Sequence, residues 1–254
     1  MFMVSAGLVT ALVELPDFGV PALIANGDVR RLLIGVAMGV TAVALIYSPW
    51  GKRSGAHMNP AVTLTFLALG KVRPADALGY IGAQFFGGVA GAALVLALLG
   101  ERFASPPVAF ALTQPTHGPR IAFALEWVIS CVLMAVVLAV SSRPRLARYT
   151  GLAAGALVAT FIAIEAPYSG MSMNPARSFA SAAVAGQWMH LWIYFVAPPL
   201  GMLTAAFVHA KRGAARAGCA KLVHSRDVRC IHCGHEPRHD AERLPLGGLL
   251  HGND

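Results

Sequence analysis

Long apolar runs separated by short polar clusters set the pattern of this 254-residue chain. Residues 32–51, 77–100 and 190–210 carry no Asp, Glu, Lys or Arg; 121–142 is broken once, by Glu126, and 149–166 only by Glu165 near its end. A bilayer core about 30 Å thick takes about 20 helical residues to cross, so each run predicts a spanning helix. Residues 1–15 are apolar up to Glu14 and predict a further helix that is short for a span. They lack the basic start and small-residue cleavage site of a signal peptide. This segment reads as a first transmembrane helix that starts late, with the physiological start expected upstream of Met1. Residues 16–31 and the proline-containing 101–120 read as loops, and 71–74 and 143–148 as basic turns.

One polar stretch occurs twice. Ser54-Gly55-Ala56-His57-Met58-Asn59-Pro60-Ala61-Val62-Thr63 returns as Ser169-Gly170-Met171-Ser172-Met173-Asn174-Pro175-Ala176-Arg177-Ser178, with six of ten positions identical. Each copy has the grammar of a helix start. Asn is a favoured N-cap, and Pro suits the first helical position, where its missing N–H would lack a partner anyway. The uncharged segment after the first copy, 61–70, predicts a helix about 15 Å long, roughly half a bilayer core. The second, from Ala176 to about Val184, is similar. Half-length helices at membrane depth are tolerated where they are buried in protein or line a cavity, and in transporters they point to the binding site. The sequence therefore predicts an all-α membrane protein of six transmembrane helices plus two half-helices. The membrane domain covers 1–210, with halves at about 1–100 and 120–210, and 211–254 forms a tail.

Composition supports this reading. Hydrophobic residues make up 56% and charged residues 13%, about half the charged share usual in soluble domains. The net charge of +8 does not describe a nucleic-acid stripe, because eight of the 20 Lys and Arg lie at or beyond Lys211 and most others sit in short loops. Basic residues in short loops set membrane orientation. Lys52, Arg53, Lys71, Arg73, Arg143, Arg145, Arg148 and the tail fall on one side, so both termini are expected in the cytoplasm and the protein in the plasma (inner) membrane. Two three-span halves must then run in opposite senses, as an inverted repeat. Gly35/Gly39, Gly87/Gly91 and Gly151/Gly155 are small-xxx-small pairs that would permit close helix packing. The four cysteines, Cys131 and three in the tail, form no secreted disulfide framework.

The doubled Asn-Pro-Ala, the inverted three-plus-half layout and the Asn-Pro-Ala-Arg ending of the second copy resemble the aquaporin, or major intrinsic protein, family. The resemblance runs from about Leu32 to Ala210. It implies a passive channel, in the lipid bilayer, for water or small uncharged solutes such as glycerol, with no cofactor or nucleic acid, assembled as a homotetramer. It places Asn59, Pro60, Ala61, Asn174, Pro175 and Ala176 at the pore centre. Physical chemistry gives the reason: each Asn can cap its helix with oxygen and turn N–H donors to the lumen, while two helix N-termini put partial positive charge there. A solute oxygen is accepted and a cation meets a barrier. Alignment to the boxes sets the outer constriction at Met38, Ile162, Met171 and Arg177. Water-selective members carry an aromatic at the first position and often His at the second; this apolar, flexible ring is expected to admit glycerol. Arg177 would repel cations there, or alternatively pair with Glu165. Glu126 matches a glutamate that accepts hydrogen bonds from the second loop, its partner on helix one is missing, and His57 matches a vestibule position that could hydrogen-bond or gate. Gln84 reads as a buried structural amide.

Beyond Lys211 the chain turns basic and rich in Cys and His. Cys219, Cys230, Cys233 and His235, among His224, His232 and His239, offer zinc or another soft metal a set of ligands, with a solvated basic tail as the alternative and disorder expected over 236–254. A metal- or redox-gated channel and a proton- or sodium-coupled transporter are the rival functions. Few titratable groups in the spans speak against the transporter, and no nucleophile–base pair among them suggests an enzyme.

Overall fold

The computed structural model describes residues 1–213, 219–224 and 229–236, and every regular element among them is helical. The expected disorder beyond Glu236, and His239, lie outside the described residues. Eight main helices follow in order: α1 Phe2–Glu14, α2 Gly27–Tyr47, α3 Pro60–Ala68, α4 Pro74–Leu99, α5 Pro119–Ser141, α6 Thr150–Ile164, α7 Pro175–Ala185 and α8 Leu191–Lys211. Among the described residues, five helical segments are long and apolar enough to cross a membrane; α1, at 13 residues, is not.

Local chemistry sets the boundaries. The second helix begins at Gly27 rather than near residue 32, because the Asn26 side chain accepts from the N–H groups of Asp28 and Val29. It stops at Tyr47 rather than Gly51: Ser48 precedes Pro49, takes an extended conformation and caps a separate short helix, Pro49–Ser54, by accepting from Gly51 N–H. The loop expected over 16–31 also holds a short helical turn, Val20–Leu23. Pro opens α3, α4, α5 and α7, where its locked φ is an advantage.

Packing follows an exchange symmetry between the halves. The half-helix α3 packs on α8, and α7 packs on α4; α1 meets α2 and α4, as α5 meets α6 and α8. Each half-helix thus lies against the last long helix of the other half. Two of the three glycine pairs seat helices closely. A Cβ on Gly39 would stand 2.6 Å from the Gly155 carbonyl, and one on Gly35 2.6 Å from that of Ala159, so α2 and α6 touch backbone to backbone. The third pair is corrected in one member. Gly91 does seat a neighbour, a Cβ there standing 3.2 Å from Met3 Cβ of α1. Gly87, however, faces open space, and it is a Cβ on Gly88, one position and about 100° further round the helix, that would stand 3.1 Å from Ala176 O. Apolar side chains such as Leu78, Phe86 and Leu98 point outward. An apolar periphery of this kind is what a hydrocarbon solvent demands.

Candidate pore and its tail-side mouth

The two half-helices meet tip to tip. Asn59 and Asn174, both in extended conformation, each cap the helix that follows: Asn59 Oδ1 accepts from Ala61 N at 2.8 Å, and Asn174 Oδ1 from Ala176 N at 3.1 Å and Arg177 N at 3.3 Å. Their amide nitrogens reach across. Asn59 Nδ2 donates to Met173 O at 2.6 Å, and Asn174 Nδ2 donates to Met58 O at 2.9 Å. Each Asn therefore bonds the carbonyl that precedes the opposite Asn. A carboxamide has two N–H donors, so one per Asn remains for the lumen. At about 1.5 Å per residue, the nine residues of α3 and eleven of α7 together span about 30 Å.

The loops that deliver the two Asn residues are locally unfavourable. Ala56 (φ 59°), Met171 (φ 46°) and Met173 (φ 52°) lie in the left-handed region, which costs a non-glycine residue about 1–2 kcal/mol. The second loop is held by Glu126, fully buried on α5. Its Oε1 accepts from Ser169 Oγ at 2.9 Å and Ser172 N at 2.6 Å, and Oε2 from Met173 N at 2.7 Å. Short charge-assisted bonds of this kind are the strong ones. In the first loop Gln84 Nε2 donates to His57 O at 2.6 Å and Thr63 Oγ1 at 3.0 Å, and Tyr80 OH to Ser54 O at 2.6 Å.

A cavity of about 350 Å³ runs past these tips. Met38, Ile162, Met171 and Arg177 all border it, as do Asn59 and Asn174. Arg177 Nη1 donates to Ala111 O at 2.7 Å, and Ser181 Oγ to the same carbonyl at 3.4 Å; no ion pair joins Arg177 to Glu165 among the described residues. The Ala111 carbonyl was not singled out by sequence, where 101–120 was only a loop. Three successive residues of positive φ, Ala109, Phe110 and Ala111, turn it toward the arginine, and such a run of non-glycine residues leaves no mark in a sequence pattern.

The tail closes on the opposite mouth. Ala220, Lys221 and Leu222 are buried, and Leu222 is part of the cavity wall beside Met58 and Val62. Leu222 N donates to Gly55 O at 3.2 Å, and His57 Nε2 lies 2.9 Å from Ala220 O, so that nitrogen carries the proton. His57 itself does not border the cavity; its ring stacks on Phe66 and His232 under the tail. The metal-ligand set expected from sequence is altered. Sulfur and nitrogen atoms of Cys219, His224, Cys230 and Cys233 lie within 4.8 Å of one another, whereas His235 is outside the group. Gly234 (φ 72°) reverses the chain, the His235 carbonyl accepts from Cys230 N at 2.8 Å, and its ring packs on His224. Burial pushes the Cys219 thiol up to about 12. Burial works the same way on Cys230, yet N–H groups of Cys233 and His232 aimed at its sulfur hold it below the ordinary thiol range.

Comparison with known proteins places this geometry. The family model described as major intrinsic protein matches residues 1–209. The chain is similar to a glycerol uptake facilitator protein-like 6 of Lactiplantibacillus plantarum, 35% identical over 207 residues, covering 80% of this chain and 89% of that one. It is also similar to aquaporin NIP6-1 of Arabidopsis thaliana, 36% identical over 208 residues and 81% of this chain. It spans only 63% of that plant protein's length. Among solved structures, the aquaglyceroporin from Plasmodium falciparum superposes with a TM-score of 0.64 at 18% identity, covering 83% of this chain and 90% of the other; that likeness concerns the fold. Paired capped half-helices, long apolar helices and the match of 1–209 agree: the chain is a multi-pass, aquaporin-like membrane protein and belongs to the major intrinsic protein family.

Proposed function

We propose that this protein is a passive transmembrane channel for water and small uncharged solutes such as glycerol. The observation that carries the reading is the pair of Asn amides at the meeting point of two helix N-termini, bordering an otherwise largely apolar cavity. There a hydroxylic solute finds N–H donors, while two N-terminal dipoles oppose a cation. Residues 1–210 are the channel and 211–254 its tail, with both termini in the cytoplasm and the protein in the plasma (inner) membrane as a homotetramer. Arg177, fixed by the Ala111 carbonyl, repels cations at the outer constriction with Met38, Ile162 and Met171. That ring has one charged member and three flexible or branched apolar ones, which suits a polyol's carbon face. The channel itself requires no cofactor and catalyses no reaction.

Stopped-flow light scattering of proteoliposomes under osmotic steps of sucrose and of glycerol tests this. Rapid shrinkage in sucrose, followed by fast re-swelling in glycerol, is expected, and Asn174→Asp should change both. Shrinkage no faster than that of empty vesicles would refute the channel; exclusion of every solute larger than water would refute the glycerol reading.

A further inference from the structure

Three cysteines and a histidine of the tail converge beside the mouth that residues 219–224 cover. Cys219 Sγ lies 3.4 Å from Cys230 Sγ, and His224 Nε2 3.2 Å from Cys233 Sγ. A disulfide needs about 2.05 Å between sulfurs, and all four cysteines of the chain are free thiols. Zinc bonds sulfur at about 2.3 Å and imidazole nitrogen at about 2.0 Å, in a tetrahedron; the corresponding ligand–ligand edges are about 3.5–3.8 Å. These two separations need grow by only a few tenths of an ångström, and the other four, all within 4.8 Å, close by about 1 Å at most, to meet them.

Two further observations point to an ion. The first is the turn Cys230-Ile231-His232-Cys233-Gly234, closed by Gly234 N donating to Cys230 O at 3.0 Å. It presents both sulfurs to one side and aims backbone N–H groups at Cys230, the support that metal-bound thiolates use. The second is Lys221. It is 2% exposed, and its ammonium has no hydrogen-bond partner among the described residues. It lines a cavity of about 280 Å³ together with Cys219, His224 and Cys233. A buried cation with nothing opposite it is costly. Three thiolates, one neutral imidazole and a divalent ion carry a net charge of −1, which supplies the counter-charge.

The first two ligands, Cys219 and His224, bracket the segment that enters the mouth. Between them lie Ala220, bonded to His57, and Leu222, bonded to Gly55 and facing the cavity. We propose that Cys219, His224, Cys230 and Cys233 form a tetrahedral site for a soft divalent ion of the zinc class, and that the bound ion pins residues 219–224 across the tail-side mouth and lowers permeability. The latch rests on the channel reading above; the site does not.

The test uses the full-length protein in lipid vesicles, with zinc equilibrated across both faces and then stripped by a chelator, and cobalt as a spectroscopic stand-in. One zinc per chain is expected, with intense thiolate-to-cobalt absorption and tetrahedral ligand-field bands. Both vanish in Cys230→Ser/Cys233→Ser. His224→Ala weakens binding by about tenfold or more, and His235→Ala leaves it unchanged. Osmotic shrinkage should be slower in zinc-loaded than in stripped protein, and zinc-independent in Cys230→Ser/Cys233→Ser. Protein that stays metal-free in excess zinc, or binds it equally without Cys230 and Cys233, overturns the site; so does a Cys219–Cys230 disulfide found by non-reducing mass spectrometry in its place. Stoichiometric zinc with equal shrinkage rates, loaded and stripped, overturns the latch. Stripped protein no faster than empty vesicles sinks the channel reading and the latch with it, while the cobalt spectrum still decides the site.

Discussion

In the loop before α7, the N–H groups of Ser172 and Met173 and the hydroxyl of Ser169 end on one buried carboxylate, Glu126. In the loop before α3, an amide, a phenol and a piece of the tail do the holding: Gln84, Tyr80 and residues 220–222. The reciprocal Asn bonds are the same in both, and the caps differ only in that Asn174 accepts from a second N–H, that of Arg177. A copied sequence has given copied caps, whereas support comes from neighbouring elements in which the halves have diverged. The consequence is mechanical. Three charge-assisted bonds within the helical bundle fix the second loop, while part of the first loop's support comes from residues 220–222, beyond the last long helix.

The largest break in this comparison should come from Glu126→Ala. It strands two backbone N–H groups and a hydroxyl, at about 1–3 kcal/mol each, so a loss of about 3 kcal/mol or more is expected in thermal unfolding in lipid. A loss below about 1 kcal/mol would mean that the carboxylate does not hold the loop. Next come the two caps. Asn174→Ala and Asn59→Ala each remove a cap worth about 1 kcal/mol and a cross-loop bond worth about as much. Near-equal losses with reduced osmotic shrinkage are expected; a loss confined to one would show that the tip contact is not reciprocal. Gln84→Leu is milder. It removes two donated bonds but also a carbonyl oxygen left unpaired in the buried site, leaving a cost of about 1 kcal/mol. Tyr80→Phe deletes one short bond, to Ser54 O, and one long one, at 3.4 Å to His232 Nε2. About 0.6 kcal/mol is typical of a hydrogen bond between membrane helices; by the same unfolding measurement it should be the smallest. An order in which Tyr80→Phe exceeded Glu126→Ala would invert the account of which loop is fixed.

The periodic and compositional signals were sufficient for the long helices, since a helix in hydrocarbon must be apolar along its whole length. They missed ends governed by single caps: Asn26 started α2 five residues earlier than charge alone indicated, and Ser48-Pro49 ended it four residues sooner. The glycine pattern named Gly87 where Gly88 makes the contact, because spacing alone does not fix which side of an apolar helix faces lipid and which faces protein. In the tail, the Cys/His content was legible but the fourth member of the cluster was not. His235 is nearer Cys233 in sequence; the left-handed Gly234 sends it away, and His224 fills the place from the other side of the chain.

What the sequence determined by itself is local: two Asn-Pro caps, two half-helices and the apolar lengths of the long helices. These follow from hydrogen-bond valence and from the solvent in which each segment must lie. What only the tertiary structure decided is mutual. Asn59 meets the carbonyl of Met173 and Asn174 that of Met58, Ala111 turns its carbonyl to Arg177, and residues 220–222 bury themselves at the tail-side mouth. Each of these joins groups 66 to 167 positions apart along the chain, and no local pattern records a distance that only the folded bundle closes.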